Sequence, residues 1–262
     1  MSRSLSTAAT GMTVQQANLD NIAHNIANTN TNAFKRGMIN FKDLLYQTDT
    51  IPGAITSEAG TSLPSGIQFG LGAAVESLYK SFEQGSPLAT PGVQFNVAID
   101  GIGFLQVTLP DGTVGFTRDG ALQLDSTGQI VNSQGYPILP GITLPDNTIN
   151  VTITADGKVQ ANVNNALQDV GQFELVRFIN PSGLNAQGGN IYLESAASGA
   201  PIAGFAQDVG FGGILQNYLE SSNVNSIFEI TEMVKCQRAF ESNSKVIQVS
   251  EQMLKTMIDT KA

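Results

Sequence analysis

Cysteine and histidine each occur once in 262 residues, as Cys236 and His24. A lone cysteine excludes a disulfide framework and a clustered-thiolate metal site. A lone histidine excludes a multi-histidine metal site or proton relay. Charge is scarce as well: Asp, Glu, Lys and Arg make up 13% of the chain, about half the usual share. The net charge of -9 and a pI near 4.5 exclude a nucleic-acid binder held by phosphate contacts. No apolar run reaches the ~18 residues a membrane span needs. The opening MSRSLSTAATGMTVQQ has neither the apolar h-region nor the small-residue cleavage site of a secretory signal. What the chain has instead is amide, with 21 Asn and 19 Gln, and such side chains suit packed polar interfaces.

The charge lies in blocks. Residues 1–80 carry five acids and five bases, and residues 221–262 again five of each. Residues 81–220 carry twelve acids against Arg118, Lys158 and Arg177, so all the net charge sits in the middle. Neutral ends can pack closely against copies of themselves, while a like-charged middle resists non-specific association. The plainer alternative is an acidic domain with neutral tails.

Both ends read as helices. Leu5, Met12, Leu19 and Ile26 recur every seven residues, with Ala8, Gln15 and Ile22 three places on, which is a weak heptad seam. Between Ser4 and Phe34 the one formal charge is Asp20, unlike a helix that faces water. Beside the seam runs a stripe of Asn18, Asn21, Asn25, Asn28 and Asn32. Asparagine is a poor helix former because its amide competes for the backbone, so the stripe reads as a polar ladder to neighbouring chains, or else as a frayed, solvated segment. With Gly11 added, the helix is expected to be unfolded in the free monomer. At the other end Ser226 and Glu229 form a capping-box pattern, and Met233, Phe240, Ile247 and Leu254 repeat at sevens. Glu241 with Lys245 and Glu251 with Lys255 add favourable pairs four apart. Two such helices imply an antiparallel coil within a subunit, packing between subunits, or an ordinary core pair.

Between the helices, Gln47 to Val93 holds four prolines and seven glycines, a long extended connection that serves either as a partner surface or as a linker. From Gln94 to about Glu194 the pattern is β. Asp-Gly steps at Asp100, Asp111, Asp119 and Asp156 separate FLQVTL, TVGFT and ALQLD, and TINVTITADGKVQANV and QFELVRFI follow. Asp-Gly flanked by apolar alternation is a hairpin signal. The two Gly-rich stretches near Gly70 and Gly210 precede no helix of a βαβ unit and are not read as dinucleotide loops. Nothing marks a pair of catalytic carboxylates, so no enzyme, metal, cofactor or small-molecule substrate is expected.

The residues Asn25-Ile26-Ala27-Asn28 and Thr31-Asn32-Ala33-Phe34-Lys35-Arg36 resemble the N-terminal signature of bacterial flagellar rod and hook proteins, Asn-x-x-Asn-Ile-Ala-Asn followed by Thr-x-Gly-Phe-Lys. Ser222-Asn223-Val224-Asn225 and Gln237-Arg238-Ala239-Phe240-Glu241 resemble the C-terminal signature, and VAIDGIGFLQVTLPDGTVGFTRDGALQLDSTGQIV looks like the family's central β domain. The length and the stretch LLYQTDTIPGA to LPSGIQFGLG resemble the distal rod members most, with proximal rod subunits the near alternative. There are two departures. Ala33 stands where the family has Gly, which costs on the order of 1 kcal/mol if φ is positive there. Ser226 to Ile230 also differs from the family's run, so the start of the second helix is open.

The resemblance implies a mixed α and β fold. Residues 1–33 would be the N-terminal helix of a coiled-coil inner domain, 34–93 an extended joint, 94–204 a central antiparallel β domain, 205–225 a return joint and 226–262 the C-terminal helix. It implies a helical homo-oligomer, a rigid hollow driveshaft across the periplasm, exported without a cleaved signal by the flagellar type III apparatus. Neighbours would be proximal rod proteins, the hook protein and the peptidoglycan-level and outer-membrane-level rings. A secreted β-rich binding module on a coiled-coil stalk is the reading from a different class.

Overall fold

The structure is a computed structural model that describes residues 2–51, 65–145, 147–163 and 166–260. It divides into two compact units. The helical unit gathers Met1–Ile26, Gly37–Tyr79 and Ser226–Ala262, and the β unit gathers Ala27–Arg36 and Lys80–Asn225.

In the helical unit, α1 spans Ser2–Ala27 and α2 spans Ser226–Asp259. At 1.5 Å per residue α2 is a rod of about 50 Å. The helix expected to reach residue 33 stops at Ala27 because the Asn/Thr run offers the backbone other partners. Thr31 N donates to Asn28 O at 3.2 Å, and Thr31 Oγ1 to Asn28 Oδ1 at 3.1 Å. The left-handed residue is indeed Ala33, with φ 54°, but it lies beyond the helix end and turns the chain into the β unit.

The stretch read as a plain extended joint contains strands. β1 (Gly37–Asp43) pairs with β4 (Ala73–Lys80), and β2 (Tyr46–Thr50) pairs antiparallel with β3 (Ile67–Gly70). β2 and β3 are exposed along their whole length. Pro52 and Pro64, which supported the joint reading, lie outside the described residues.

The β unit runs through β5 (Pro87–Ala89), β6 (Val97–Asp100), β7 (Phe104–Thr108), β8 (Val114–Thr117), β9 (Leu122–Leu124) and β10 (Ile130–Asn132). It continues with β11 (Thr148–Ile153), β12 (Lys158–Val163), β13 (Ala166–Gln172), β14 (Glu174–Arg177) and β15 (Asn185–Gly188). It closes with β16 (Ile191–Leu193), β17 (Ile202–Phe205), β18 (Gly213–Gln216) and β19 (Tyr218–Glu220). The largest sheet has the order β15-β16-β8-β7-β14-β17, and β11-β12-β13 form a second.

Side chains alternate across a strand, and the large sheet is covered on both faces. Leu105 and Val107 of β7 and Leu175 of β14 point into an apolar core with Ile99 and Val159. Phe104 and Val176 point the other way, into a cluster with Phe116, Phe178 and Tyr192. There the rings meet edge-on, Phe116 and Phe178 at 4.8 Å between centroids.

Two of the four Asp-Gly steps make hairpins. Gly112 (φ 80°) turns β7 into β8, and Gly157 (φ 82°) turns β11 into β12. Asp100-Gly101 instead leads from the β6–β18 pair into the large sheet. Gly120 is there for close approach, since a Cβ would collide with Val97 O. The segment 205–225, expected to be a separate return joint, is part of this unit. β18 pairs with β6 and β19 with β5.

Candidate assembly site

The residues expected to form an assembly surface fall into two sets. The first is on the helices. α1 buries Ala8, Val14, Ile22 and Asn25, and α2 buries Glu229, Cys236 and Ser250. Ser4 Oγ lies 3.3 Å from Ser250 Oγ, and Asn25 Nδ2 donates to Glu229 Oε2 at 3.4 Å. Between them, a Cβ on Gly11 would come within 2.9 Å of Asn243 Nδ2, and Cys236 Sγ donates to Gln15 O at 3.0 Å. Steps of seven and fourteen along α1, from Ser4 to Gly11 and on to Asn25, meet steps of seven and fourteen back along α2. The two helices therefore run antiparallel through a polar stripe.

The heptad period is present, but its phase on α2 is not the expected one. Met233, Ile247 and Leu254 are half-buried and Phe240 is exposed, four places on from the buried Glu229, Cys236 and Ser250. On α1, Ile22 is buried while Leu5, Met12, Leu19 and Ile26 are half-buried. A search for apolar repeats passes over Glu, Cys, Asn and Ser at the same spacing, which is why the stripe was missed. Burial pushes the Cys236 thiol up, so it is a packed neutral group. Gln15, Gln16, Leu19, Cys236, Gln237 and Phe240 line a groove of about 430 Å³ beside it.

The asparagine stripe is used within the chain at two of its rungs. Asn21 Nδ2 and Asn25 Nδ2 each donate to Gly37 O at 3.0 Å, and Gly37 N donates back to Asn25 Oδ1 at 2.9 Å. A Cβ at Gly37 would collide with Asn21 Oδ1. These amides pin β1 to α1 within the chain. Asn28 accepts from Thr31, and Asn32 O accepts from Asn190 Nδ2 at 2.7 Å. Asn18 is half-buried on α1.

The second set lies in the β unit and joins the two terminal signatures, nearly 190 residues apart in sequence. Asn223 N donates to Phe34 O, and Asn223 Oδ1 accepts from Arg36 N at 2.7 Å. Asn223 Nδ2 donates to Ser81 O and Glu83 O. Ser222 Oγ accepts from Val224 N at 3.2 Å, and Val224 is buried. Lys80 Nζ stands over the Phe34 ring at 4.9 Å. Thr31 holds the turn before it, whereas Asn225 and Arg238 are exposed.

Beneath these contacts is a buried charge cluster that the sequence reading did not single out. Lys35 Nζ meets Glu220 Oε1 at 2.6 Å, and Arg118 Nε meets Glu220 Oε2 at 2.8 Å. Gly85 N donates to Glu220 Oε1, Ala33 N donates to Glu220 O, and Lys35 Nζ also donates to Glu83 O. Arg118 also donates to Gly101 O, Gly103 O and Ile99 O. Burial, aided by the Arg118 charge, pulls Lys35 down to about 8. Burial pushes Glu220 up, but Arg118 and Lys35 together hold it below the ordinary carboxylate range. The signal available in the sequence was that Arg118 is one of only three cations in an acidic block. Among the described residues no group of three His, Cys, Asp or Glu could hold a metal ion.

Residues 98–161 match the family model described as flagellar hook protein FlgE/F/G D1 domain, and residues 215–260 match flagellar basal body rod FlgEFG protein C-terminal. The chain is 44% identical over 254 residues to the flagellar basal-body rod protein FlgG of Caulobacter vibrioides, covering 96% of this chain and 97% of that protein. The chain belongs to the flagellar basal-body rod protein family. FlgG of Borreliella burgdorferi is 44% identical over 97% of each chain, and FlgG of Bacillus subtilis is 37% identical over the whole of both. The solved hook protein FlgE2 of Helicobacter pylori aligns at 15% identity and a TM-score of 0.24, over 71% of this chain and 43% of that one. That score is too low to bear on the fold. The C-terminal rod match takes in Glu220, Asn223 and α2.

Proposed function

We propose that this structural subunit of the flagellar basal-body rod polymerises helically through α1 and α2, and that the polymer is the distal rod, a rigid hollow shaft passing torque to the hook. One observation carries the reading. Of the 30 large hydrophobic side chains exposed among the described residues, 18 belong to the helical unit. Ten of these lie on α2, from Ile227 to Ile258, and eight on or beside β1 to β4. Apolar side chains left exposed on this scale suit an interaction surface, and each Leu, Ile or Phe buried on assembly is worth about 1.5–3 kcal/mol.

In this reading α1 and α2 pair as a coiled coil around the channel. β1 to β4 brace neighbouring copies, and the acidic β unit faces the peptidoglycan-level and outer-membrane-level rings. Proximal rod proteins and the hook protein are its axial neighbours, and the flagellar type III apparatus exports it. No helix among the described residues is long and apolar enough to cross a membrane. The role in this reading is structural.

The experiment is electron microscopy of cell envelopes from a strain lacking the gene. Short rods without hooks, in non-motile cells, are the expected result and place the subunit distally. Normal rods and hooks would overturn the reading in favour of a secreted binding module.

A further inference from the structure

The chain passes between its two units four times, after Ile26, Arg36, Tyr79 and Asn225. Three segments of the β unit carry those crossings: residues 27–36, 80–86 and 220–225. Residues 33–36 belong to no strand, so no sheet ladder holds them. Their backbone groups go to the other two segments instead. Ala33 N donates to Glu220 O at 2.7 Å, Asn223 N to Phe34 O at 3.4 Å, and Ser81 N to Arg36 O at 2.9 Å.

Asn223 is where the three segments meet. Its Oδ1 accepts from Arg36 N at 2.7 Å, and its Nδ2 donates to Ser81 O at 2.9 Å and to Glu83 O at 3.1 Å. With its own N–H on Phe34 O, one asparagine spends both ends of its amide and its backbone donor on the two other crossing segments. Glu220 repeats the arrangement deeper in, with its carboxylate on Lys35 and on Gly85 N. Beside it Ser221 N donates to Ser86 O at 3.0 Å.

We propose that Asn223 is a positioning residue for assembly: it clamps the points where the chain leaves the β unit, so that the two terminal segments start side by side before a neighbour folds them. Loop closure sets the scale. Asn25 on α1 meets Glu229 on α2 across 204 residues of sequence. With Arg36 tied to Asn223, the free path between them shortens to about 17 residues, which favours closure by up to about 40-fold. That is an upper bound, because the folded β unit already shortens the longer path. Holding the ends in place beforehand lowers the ordering cost that association must meet, and the helical unit has few buried apolar residues of its own to meet it with. The clamp belongs to the monomer, and its use in assembly rests on the rod reading above.

The test places a benzophenone amino acid at position 27 of the full chain at high dilution, and mass spectrometry reads the links it forms to residues 224–229 of the same molecule. Asn223→Ala should cut their yield at least about tenfold while the β unit keeps a cooperative thermal transition. Asn223→Ser, a smaller loss at the same position, takes its place if the alanine variant has no transition. The control is Val159→Ala, which removes burial from a core position outside the three segments. It should lower the melting temperature and leave the link unchanged. In cells lacking the native gene, Asn223→Ala should build at least about tenfold fewer rods than the native chain, and Val159→Ala normal numbers. No link in the native chain, a link indifferent to Asn223→Ala, an equal loss in Val159→Ala, or normal rods from a chain that has lost the link overturns the proposal. Normal rods in cells with no copy of the gene would mean that the rod reading itself has failed, and the assembly role falls with it whatever the link shows.

Discussion

Of the 33 buried apolar residues among those described, 29 lie in the β unit, and the helical unit contributes Ala8, Val14, Ile22 and Cys236. The β unit can balance its chain entropy with burial of its own, whereas the helical unit has more residues to order than apolar surface to order them with. The polar contacts show the same division. In the β unit, Glu220 is matched on both carboxylate oxygens by buried partners. On the helices the stripe is Ser against Ser, Gly against Asn and Asn against Glu, contacts that set a register without adding much stability. One unit is closed by its own burial, and on the proposed reading the other is completed by neighbours.

The sharpest way to break this comparison is limited proteolysis of the dilute subunit. Both helices should be digested, leaving a resistant core near residues 80–220 with the buried 27–36 segment still bound to it. A chain resistant throughout would show that the helices fold without neighbours. The next largest effect is on assembly. Ile22→Asp puts a charge at a buried α1 position, and Leu19→Asp or Ile26→Asp does so at half-buried ones. Each should abolish rods in electron micrographs while leaving the thermal transition of the β unit in place. Normal assembly of the Ile22 variant would remove α1 from the interface.

Glu220→Gln tests the other side. It leaves Lys35 and Arg118 buried without a carboxylate, which should destabilise the β unit by about 3–5 kcal/mol, read as a fall in its melting temperature. A change below about 1 kcal/mol would mean that the cations find other acceptors. The cluster also sets an acid dependence. Glu220 is held below its ordinary value near 4.5 in the folded chain, so the unfolded chain takes up its proton first as pH falls. Its contribution is complete above about pH 4.5 and is lost below it, through the folded value. The melting temperature of the β unit should therefore drop below pH 4.5, and Glu220→Gln should flatten part of that slope.

Much of this was legible in the sequence because apolar periodicity and turn chemistry are local. Asp111-Gly112 and Asp156-Gly157 announced their hairpins, and the sevens of Leu5 and Met233 announced helices. The phase of α2 was not legible, because its deepest residues are polar and an apolar repeat four places on draws the eye. Nor was the Lys35–Glu220–Arg118 cluster, whose members are 185 and 102 residues apart in sequence and meet only through the β fold. The signature residues Phe34, Lys35 and Asn223 were picked out by resemblance. Their geometry supplies the physical reason, since they hold residues 34–36 and 220–223 together within the β unit.

The smallest effect expected is at Ala33, where two terms of similar size oppose each other. Its φ of 54° is unfavourable for a residue with a Cβ, at roughly 1–2 kcal/mol, which argues that glycine would stabilise the turn. Against that, Ala33 is 1% exposed, so glycine would forfeit about 0.8 kcal/mol of methyl burial and add freedom to the unfolded chain worth about 0.4–1 kcal/mol. The terms nearly cancel, and Ala33→Gly should move the melting temperature of the β unit by no more than about 3 °C in either direction. A rise well beyond that would show that backbone strain dominates and that the turn prefers the family's glycine. A fall of the same size would show that the Ala33 methyl is an anchor for the segment whose N–H donates to Glu220 O at 2.7 Å.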